Sequence, residues 1–419
     1  MYTQITRCRA CGNADLRAVL SLGEQHLTGV FPRSRDQQIT KGPLELVKCH
    51  NSGDSRDHCG LVQLRHSFDL AEMYGENYGY RSSLNRSMVA HLSDIVRKLT
   101  GRVPVGPGDL VIDIGSNDGT LLSNYPQNGP TLVGMDPSAE RFRKYYRPDI
   151  KLIVDFFPAG LTKAGFGDRK AKIVTSIAMF YDLEDPIDFM RKVASVLADD
   201  GVWHFEQSYM PEMLRVNAYD TICHEHLEYY GLSQIQWMAN RAGLKLLDVE
   251  VNDVNGGSFA VTVAKESSTH EPNHAGIAAI LASEKSLGFD TLAPYEQFAT
   301  RVFNHRDELQ GLLKRIKGEG KTVFGYGAST KGNVILQFCE FGPDDLPCVA
   351  EVNADKFGSF TPGSKIPIVS EKEAHARKPD YFLVLPWHFK RNLLEREAEY
   401  MRQGGRMLFP LPQIEVVPS

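Results

Sequence analysis

The chain has 419 residues, of which 42% are apolar and 24% are charged, and its formal net charge is −5. This length exceeds one ordinary core and predicts roughly two to four domains. The mild acidity argues against nucleic acid or an anionic membrane as partner. No apolar run reaches transmembrane length, and the N-terminal MYTQITRCRACG lacks the pattern of a signal peptide. We therefore expect a cytoplasmic globular protein that is monomeric or weakly dimeric.

The first 65 residues are predicted to be rich in loops, and they hold four of the seven cysteines. An odd cysteine count in a cytosolic chain argues against a disulfide framework. Four thiolates, by contrast, suit the tetrahedral preference of zinc. The CxxC pair near the N-terminus is a strong signal, whereas the wide spacing of the second pair leaves His50 and His58 as alternative ligands. We predict a structural zinc site formed by Cys8, Cys11, Cys49 and Cys59.

The middle of the chain alternates apolar runs with helical segments. From Asp69 to about Thr100 the pattern is helical, and the Gly/Pro-rich VPVGPGD (103–109) leads into a new unit. The alternation that follows is typical of a mostly parallel α/β sheet. A helix is expected over 188–201, with Gly201 as its stop. The predicted strands are LVIDIG (110–115), TLVGMD (131–136), KLIVDFF (151–157), KIVTSIAMF (172–180), VWHFEQ (202–207) and FAVTVAKE (259–266).

Residues 270–318 look largely helical, and a second α/β unit follows them. Its predicted strands are KTVFGYG (321–327), PCVAEVN (347–353), YFLVLP (381–386) and RMLFPLP (406–412), and its predicted helices are KGNVILQFC (331–339) and NLLEREAEYMRQGG (392–405). The predicted domain bounds are 1–66 for a zinc module, 67–104 for a helical connector, 105–268 for the first α/β domain, 269–318 for a second connector and 319–419 for a Rossmann-like domain.

The segment LVIDIGSNDGTLL places an acid, two glycines and a helix start after a predicted strand. Glycines let the backbone approach a ligand, and a helix N-terminus favours negative charge. The G-x-G-x-x-G pattern of nicotinamide-binding strands is absent. The spacing instead resembles class I S-adenosylmethionine-dependent methyltransferases, in which the acid ending the second strand holds the ribose. The cofactor residues that this resemblance implies are Asp113, Gly115, Asn117, Asp118, Gly119, Asp136, Asp155, Phe156, Ser176 and Ala178.

The stretch YDTICHEHLEYY (219–230) follows a strand of the same unit. Ligands of open α/β sheets bind beyond the carboxyl ends of the strands, so its histidines are expected near the methyl acceptor. A metal site lacks a third ligand at helpful spacing, and a polar structural loop remains an alternative. Histidine titrates near neutral pH, and a neighbouring carboxylate can tune it. We expect a general base, because a carbon acceptor must lose a C–H proton.

The chain resembles the sugar C-methyltransferases that act on nucleotide-linked 4-keto-deoxysugars. The resemblance spans the whole length and is carried by CRACG, YGENYGYRSS, IDIGSNDGT, ICHEHLEYY and GYGASTKGN. It implies that the ketone at sugar C4 acidifies the hydrogen on C3, that a base removes it, and that the enolate attacks the methyl group of S-adenosylmethionine. The implied catalytic residues are His226 as base, Glu225 to tune it, His224 as the second choice of base, and Tyr74 and Tyr78. Tyr80 and Tyr230 would border the sugar.

The second glycine loop, FGYGASTKGN, offers backbone NH groups, hydroxyls and a cation, which suit phosphates. It is not a Walker loop. The resemblance implies that a dTDP- or GDP-linked sugar binds here, through Gly327, Ser329, Thr330, Lys331 and Asn333; the alternative is a Rossmann-like half used only for packing. Two rival functions stay open: O- or N-methylation of a sugar or small metabolite, and a non-catalytic zinc-containing binding protein with a degenerate methyltransferase fold.

Overall fold

The structure is a computed structural model that describes residues 2–51, 58–73 and 81–418. Its strands are β1 (Tyr2–Gln4), β2 (Leu16–His26), β3 (Lys41–Cys49), β4 (Val62–Leu64), β5 (His66–Phe68), β6 (Leu110–Ile114), β7 (Thr131–Met135), β8 (Ile150–Ile153), β9 (Ala171–Ile177), β10 (Leu197–Ser208), β11 (Glu228–Tyr229), β12 (Leu244–Asn252), β13 (Ser258–Lys265), β14 (Val323–Tyr326), β15 (Val349–Glu351), β16 (Ile368–Ser370), β17 (Tyr381–Val384), β18 (Arg406–Phe409) and β19 (Glu415–Val417). Its α-helices are α1 (Leu70–Met73), α2 (Arg86–Arg102), α3 (Ala159–Lys163), α4 (Pro186–Val196), α5 (Met210–Val216), α6 (Leu232–Arg241), α7 (His274–Ser286), α8 (Ala293–Gly318), α9 (Thr330–Phe338), α10 (Glu371–Ala376), α11 (Lys390–Arg396) and α12 (Ala398–Arg402).

The N-terminal region contains four strands, β1 to β4, and the segments 5–15 and 27–40 that join the first three agree with the expected loop-rich start. β2 and β3 pair antiparallel over most of their length, and the sheet order is β11-β4-β3-β2. Two register shifts interrupt the β2–β3 pairing. Each irregularity breaks the period of two that marks a half-buried strand in a sequence. The strand β11 comes from the acid/base stretch, so this sheet holds part of the middle region.

The middle sheet confirms the predicted parallel α/β arrangement. Its order is β12-β13-β10-β9-β6-β7-β8, with β6 to β10 parallel and β13 antiparallel to β10. The carboxyl ends of β6, β7 and β9 therefore meet at one edge. The helix expected over 188–201 ends at Val196, and Leu197 already begins β10. Gly201 permits a close approach of β10 to β9, since a Cβ there would lie 2.6 Å from the carbonyl oxygen of Ala171.

The C-terminal sheet has the order β16-β15-β14-β17-β18-β19, with only β19 antiparallel. The helix expected over 392–405 is split into α11 and α12 at Glu397. The Glu397 carboxylate points inward, where it accepts a hydrogen bond from the Tyr326 hydroxyl and lies 3.0 Å from His375 Nε2. The sheet is thus a Rossmann-like unit, as expected.

The three units share their apolar cores. One core joins Leu44 and Leu46 of the N-terminal sheet to α8 and to the C-terminal sheet. Another packs zinc-module cysteines against the middle sheet. Side chains of different units pack in the same cores, so the cores do not mark where one domain ends and the next begins. The predicted domain bounds stay predictions. Within the ranges that the structure describes, no helix combines the length and the apolar character needed to cross a bilayer.

Candidate active site and zinc centre

The four predicted zinc ligands converge on one point. The Sγ atoms of Cys8, Cys11, Cys49 and Cys59 all lie within 4.8 Å of one another. Two of the separations, Cys8 to Cys59 and Cys11 to Cys49, are 3.5 Å. A tetrahedron with Zn–S bonds of about 2.3 Å has edges of about 3.8 Å, so the cluster fits zinc. Four protein ligands leave no open position, and this indicates a structural metal.

Two side-chain amides and one lysine surround the cluster. The amide of Gln63 donates to Cys8 Sγ at 3.1 Å, and that of Asn13 donates to Cys49 Sγ at 3.4 Å. The Lys48 ammonium is held by the Gly60 carbonyl at 2.8 Å, and burial lowers the pKa of Lys48 to about 8. Such donors orient ligands and offset the charge of four thiolates.

A cavity of about 340 Å³ opens at the carboxyl ends of β6, β7 and β9. This volume lies in the range of small-molecule sites. Seven of the predicted cofactor residues line it: Asp113, Gly115, Asn117, Asp136, Asp155, Phe156 and Ala178. The cavity thus brings together the first glycine loop and the ends of the three strands.

Local backbone geometry explains why this loop forms the cavity floor. Gly115 has φ +74°, and a Cβ there would lie 3.0 Å from Met179. The Asn117 N–H donates to Asp136 Oδ2 at 2.9 Å, while Ser138 N and Oγ donate to Oδ1 at 2.7 Å. Asp136 therefore organises the loop besides facing the cavity. The Phe156 side chain, 57% exposed, is a flat apolar surface on the cavity wall.

Asp113 is the buried acid beneath the loop. Its Oδ1 accepts a hydrogen bond from the Thr175 hydroxyl at 2.6 Å. Burial raises the pKa of Asp113 to about 7, with a further rise from the negative charge of Asp136 and a decrease from the Thr175 hydroxyl. The carboxyl is thereby held as a mixture of neutral and charged forms near neutral pH.

Three predicted cofactor residues are not among those that line the cavity. The Ser176 hydroxyl is buried and accepts from the Trp203 indole N–H at 2.9 Å, so its predicted contact with the cofactor is corrected to a core role. Asp118 accepts from Ser83 N at 3.0 Å and from the Thr120 hydroxyl at 2.6 Å. Gly119 lies against the Tyr146 ring. Asp118 and Gly119 thus stabilise the glycine loop without lining the cavity.

We expect Asp136→Asn to weaken S-adenosylmethionine binding by about 10- to 100-fold, since hydrogen bonds to a charged group contribute about 1.5–3 kcal/mol. Calorimetric titration measures the change. Asp109→Asn is the matched control, because Asp109 accepts a main-chain hydrogen bond from Gly106 in a turn before β6. Equal affinities for the Asp136 variant and the parent protein would contradict the ribose role.

His226 carries the geometry of a general base. Its Nδ1 lies 2.8 Å from the Thr221 carbonyl oxygen, so Nδ1 carries the proton and Nε2 keeps its lone pair. The ring packs on Tyr181 at 4.1 Å between centroids, and Leu227 N donates to the Tyr181 carbonyl at 2.8 Å. The next residue, Asp182, lines the cofactor cavity. Burial and the nearby charge of Lys331 lower the pKa of His226 to about 3, so the ring is neutral at pH 7.

The side chains of His224 and Glu225 contact the N-terminal unit. His224 is fully buried against the Phe68 ring, 4.6 Å between centroids, inside the N-terminal unit. Glu225 accepts a hydrogen bond from the Thr28 hydroxyl at 3.3 Å, and burial raises its pKa. The partner of His226 Nδ1 is the Thr221 carbonyl, and a role for Glu225 in orienting or tuning His226 stays a prediction.

The tyrosine predictions divide into two groups. Tyr74, Tyr78 and Tyr80 lie outside the described residues, so their roles stay predictions. Tyr230 is fully buried and stacks on Phe180 with 5.4 Å between ring centroids. Its predicted contact with the sugar is therefore corrected to a core role.

The second glycine loop faces the other two units. Lys331 Nζ donates to the Asn255 carbonyl at 2.6 Å, and burial lowers the pKa of Lys331. Ser329 is the N-cap of α9 and accepts from Gly332 N at 3.0 Å. Gly327, with φ +81°, lies close to Pro386, and Thr330 at the start of α9 is half-buried.

Asn333 forms a contact between units. It is fully buried, and its amide donates to the Thr28 carbonyl at 2.7 Å. This contact joins α9 to the N-terminal unit, and binding of substrate by Asn333 stays a prediction. A second contact joins the C-terminal unit to the middle unit: the Trp387 indole donates to Asp220 at 2.7 Å, and the half-buried His388 lies beside Trp387.

Sequence reasoning missed three groups at this site. The Thr221 carbonyl leaves no trace in residue identity, since any residue offers a carbonyl. The Tyr181 ring was overlooked in MFYDLED, although an aromatic residue after a parallel strand is a usable signal. Asn255 lines the cofactor cavity with φ +53°, and the Asn-Gly pair in NDVNGG was the signal for that tight turn.

Comparison with known proteins identifies the family. A C-methyltransferase C-terminal domain model matches residues 253–412, a methyltransferase domain model matches 85–249, and a zinc binding domain model matches 8–74. The chain is 33% identical over 423 residues to the C-methyltransferase NovU of Streptomyces niveus, covering 99% of this chain and 97% of that protein.

Two solved structures resemble part of the chain. A chain of the complex between the Haloferax volcanii Trm112 methyltransferase activator and a methyltransferase is 18% identical, with a TM-score of 0.35 over 43% of this chain and 94% of that one. The CcbJ methyltransferase of Streptomyces caelestis is 14% identical, with a TM-score of 0.33 over 42% of this chain and 89% of that one. The full-length identity, the three domain matches and the four-cysteine cluster show that the chain belongs to the S-adenosylmethionine-dependent C-methyltransferases with an N-terminal zinc-binding domain.

Proposed function

We propose that this protein methylates C3 of a dTDP- or GDP-linked 4-keto-6-deoxysugar through a base-generated enolate, in cytoplasmic deoxysugar biosynthesis. The observation that carries the proposal concerns His226. Its Nε2 lone pair is available, and the neighbouring Leu227 N donates to the carbonyl of Tyr181, the residue before the cavity-lining Asp182. A carbon acceptor must lose a proton before it can attack a methyl group, and the site supplies a base for that step.

The base abstracts the hydrogen on sugar C3, which the neighbouring C4 ketone acidifies. Nε2 takes the proton, and the electron pair of the C–H bond moves to the ketone oxygen as the enolate forms. The Thr221 carbonyl supports the imidazolium, because Nδ1–H keeps its acceptor when Nε2 becomes protonated. S-adenosylmethionine, when bound in the cavity, supplies the methyl group that the enolate carbon takes.

Lys331 supports an anionic substrate. Among the described residues its Nζ forms one hydrogen bond, to the Asn255 carbonyl, which leaves two N–H donors for phosphate oxygens. The same ammonium charge lowers the pKa of His226. A diphosphate beside Lys331 would offset that charge and raise the pKa of His226, so the base would strengthen when the substrate is in place.

Exchange and product analysis test the proposal. We expect the protein to wash deuterium from D2O into C3 of a dTDP- or GDP-linked 4-keto-6-deoxysugar in the absence of cofactor. With methyl-labelled S-adenosylmethionine, mass spectrometry and NMR should place the label on carbon 3. A 4-hydroxy sugar nucleotide is the matched control, because without the ketone its C3 hydrogen is not acidic.

Label on an oxygen or nitrogen atom, without deuterium exchange, would support O- or N-methylation instead. Failure to bind S-adenosylhomocysteine in calorimetry would support the non-catalytic alternative. Either result would overturn the proposed function.

A further inference from the structure

The turn Val254–Gly256 and the following Gly257 form a wall that two sites share. On one side Asn255 lines the cofactor cavity. On the other side the Asn255 carbonyl accepts the hydrogen bond from Lys331 of the C-terminal unit at 2.6 Å. One residue of the middle unit thus contacts both the cofactor cavity and the cation next to the proposed base.

The turn is held firmly at both ends. At its start Asn252 donates to Glu206 at 2.8 Å and accepts from Val254 N at 3.0 Å. Glu206 is also 2.7 Å from His91 Nε2 of α2, a helix that lines the cavity through Met88 and Leu92.

The end of the turn is equally crowded. A Cβ at Gly256 would lie 3.0 Å from the Trp387 ring, and one at Gly257 would lie 2.2 Å from the Glu212 side chain. Both glycines have positive φ, so other residues would be strained there. A displacement of Asn255 on one side is therefore transmitted to the other side rather than absorbed.

Lys331 is the charged group that contacts the turn from the C-terminal unit. Within the described part of the chain its ammonium group forms no ion pair, and Asp220 is the charged group that raises its pKa most. A half-buried cation with donors to spare suits an anionic ligand. The position of its Nζ depends on the Asn255 carbonyl.

We propose that Asn255 is a positioning residue that couples the two sites, so that cofactor binding and binding of a nucleoside diphosphate at Lys331 reinforce each other. The anionic substrate class rests on the proposed function. Coupling of this kind is reciprocal and commonly amounts to about 5- to 150-fold in affinity.

Calorimetry on the full-length, zinc-loaded protein tests the coupling. S-adenosylhomocysteine is titrated alone and with saturating dTDP or GDP as the probe. We expect its affinity to rise at least about fivefold in the presence of the diphosphate that binds. Asn255→Gly keeps the left-handed backbone and the carbonyl but removes the side chain. In this variant the diphosphate should increase the affinity for S-adenosylhomocysteine less than twofold. Lys331→Met should weaken binding of the diphosphate and abolish the increase in affinity for S-adenosylhomocysteine.

Two control variants match these changes. Asn128→Gly alters an exposed asparagine that also has positive φ, 61°, outside the cavity lining. Lys321→Met alters a lysine before the opposite end of β14. Both should keep the full coupling. Absence of diphosphate binding, equal affinities with and without diphosphate, or full coupling in Asn255→Gly would overturn the proposal. The readout is binding alone, so a failure to form the C3-methyl product is recorded separately.

Discussion

Replacing His226 with asparagine is expected to lower turnover by about 10²- to 10⁴-fold, the usual contribution of a general base. Asparagine keeps a donor toward the Thr221 carbonyl but has no basic nitrogen. The affinity for S-adenosylhomocysteine should stay within about twofold of the parent protein, because His226 is not among the residues that line the cofactor cavity. Single-turnover methyl transfer and deuterium exchange at C3 should fall together, since both require loss of the same proton.

His224→Asn is the matched comparison, since it changes a second histidine two residues away. It packs against Phe68 in the N-terminal unit, so we expect a less stable protein with nearly unchanged turnover per folded molecule. The opposite pattern, with exchange retained in His226→Asn and lost in His224→Asn, would assign the base to His224.

The pH profile of kcat/KM gives a second measurement of the same residue. A base works only when unprotonated, and burial together with Lys331 lowers the pKa of His226 to about 3 in the free protein. The acidic limb assigned to His226 should therefore lie well below pH 6.5, the ordinary value for histidine. In Lys331→Met the lowering charge is absent, and the limb should move to higher pH. An unchanged limb in that variant would contradict the influence of Lys331.

The parts of the site that sequence predicted share a simple property. Gly115, Asp136 and the four cysteines act through residue identity at fixed spacing, and spacing is visible in one dimension. The parallel sheet was predictable for the same reason, because buried strands such as β6 and β9 are predominantly apolar.

The parts that sequence did not predict depend on contacts between distant segments. The burial of Tyr230 and His224 follows from the pairing of β11 with β4 of the N-terminal sheet, and nothing local to YDTICHEHLEYY specifies that pairing. The polar character of this stretch indicated exposure, whereas only His226 among its side chains is partly exposed. The Thr221 carbonyl and the link from Lys331 to Asn255 are main-chain contacts, which residue identity does not encode.

The pairing of β11 with β4 also connects the zinc site to His226. We predict that the zinc site supports catalysis by keeping these strands folded. Cys49 ends β3, β3 pairs with β4, and β4 pairs with β11, two residues after His226. Cys49→Ser should abolish stoichiometric zinc binding and destabilise the N-terminal unit by more than about 5 kcal/mol, because a structural zinc site contributes folding free energy directly. Hydrogen exchange should show the loss first in β2 to β4 and then in the segment around His226, with the C-terminal sheet retained longer.

Cys348→Ala is the control for the zinc variant, since Cys348 is a buried thiol of the C-terminal core outside the cluster. It should cost about 1 kcal/mol, the centre of the range for single substitutions, and keep the zinc. During chelation of the parent protein, activity should fall in step with the loss of protected amides in β3 and β4, because all four ligand positions are occupied by protein and the metal has no open position for substrate. Loss of activity while those amides stay protected would instead indicate that the metal takes part directly in the reaction. A fully folded protein without bound zinc would contradict the structural role of the metal.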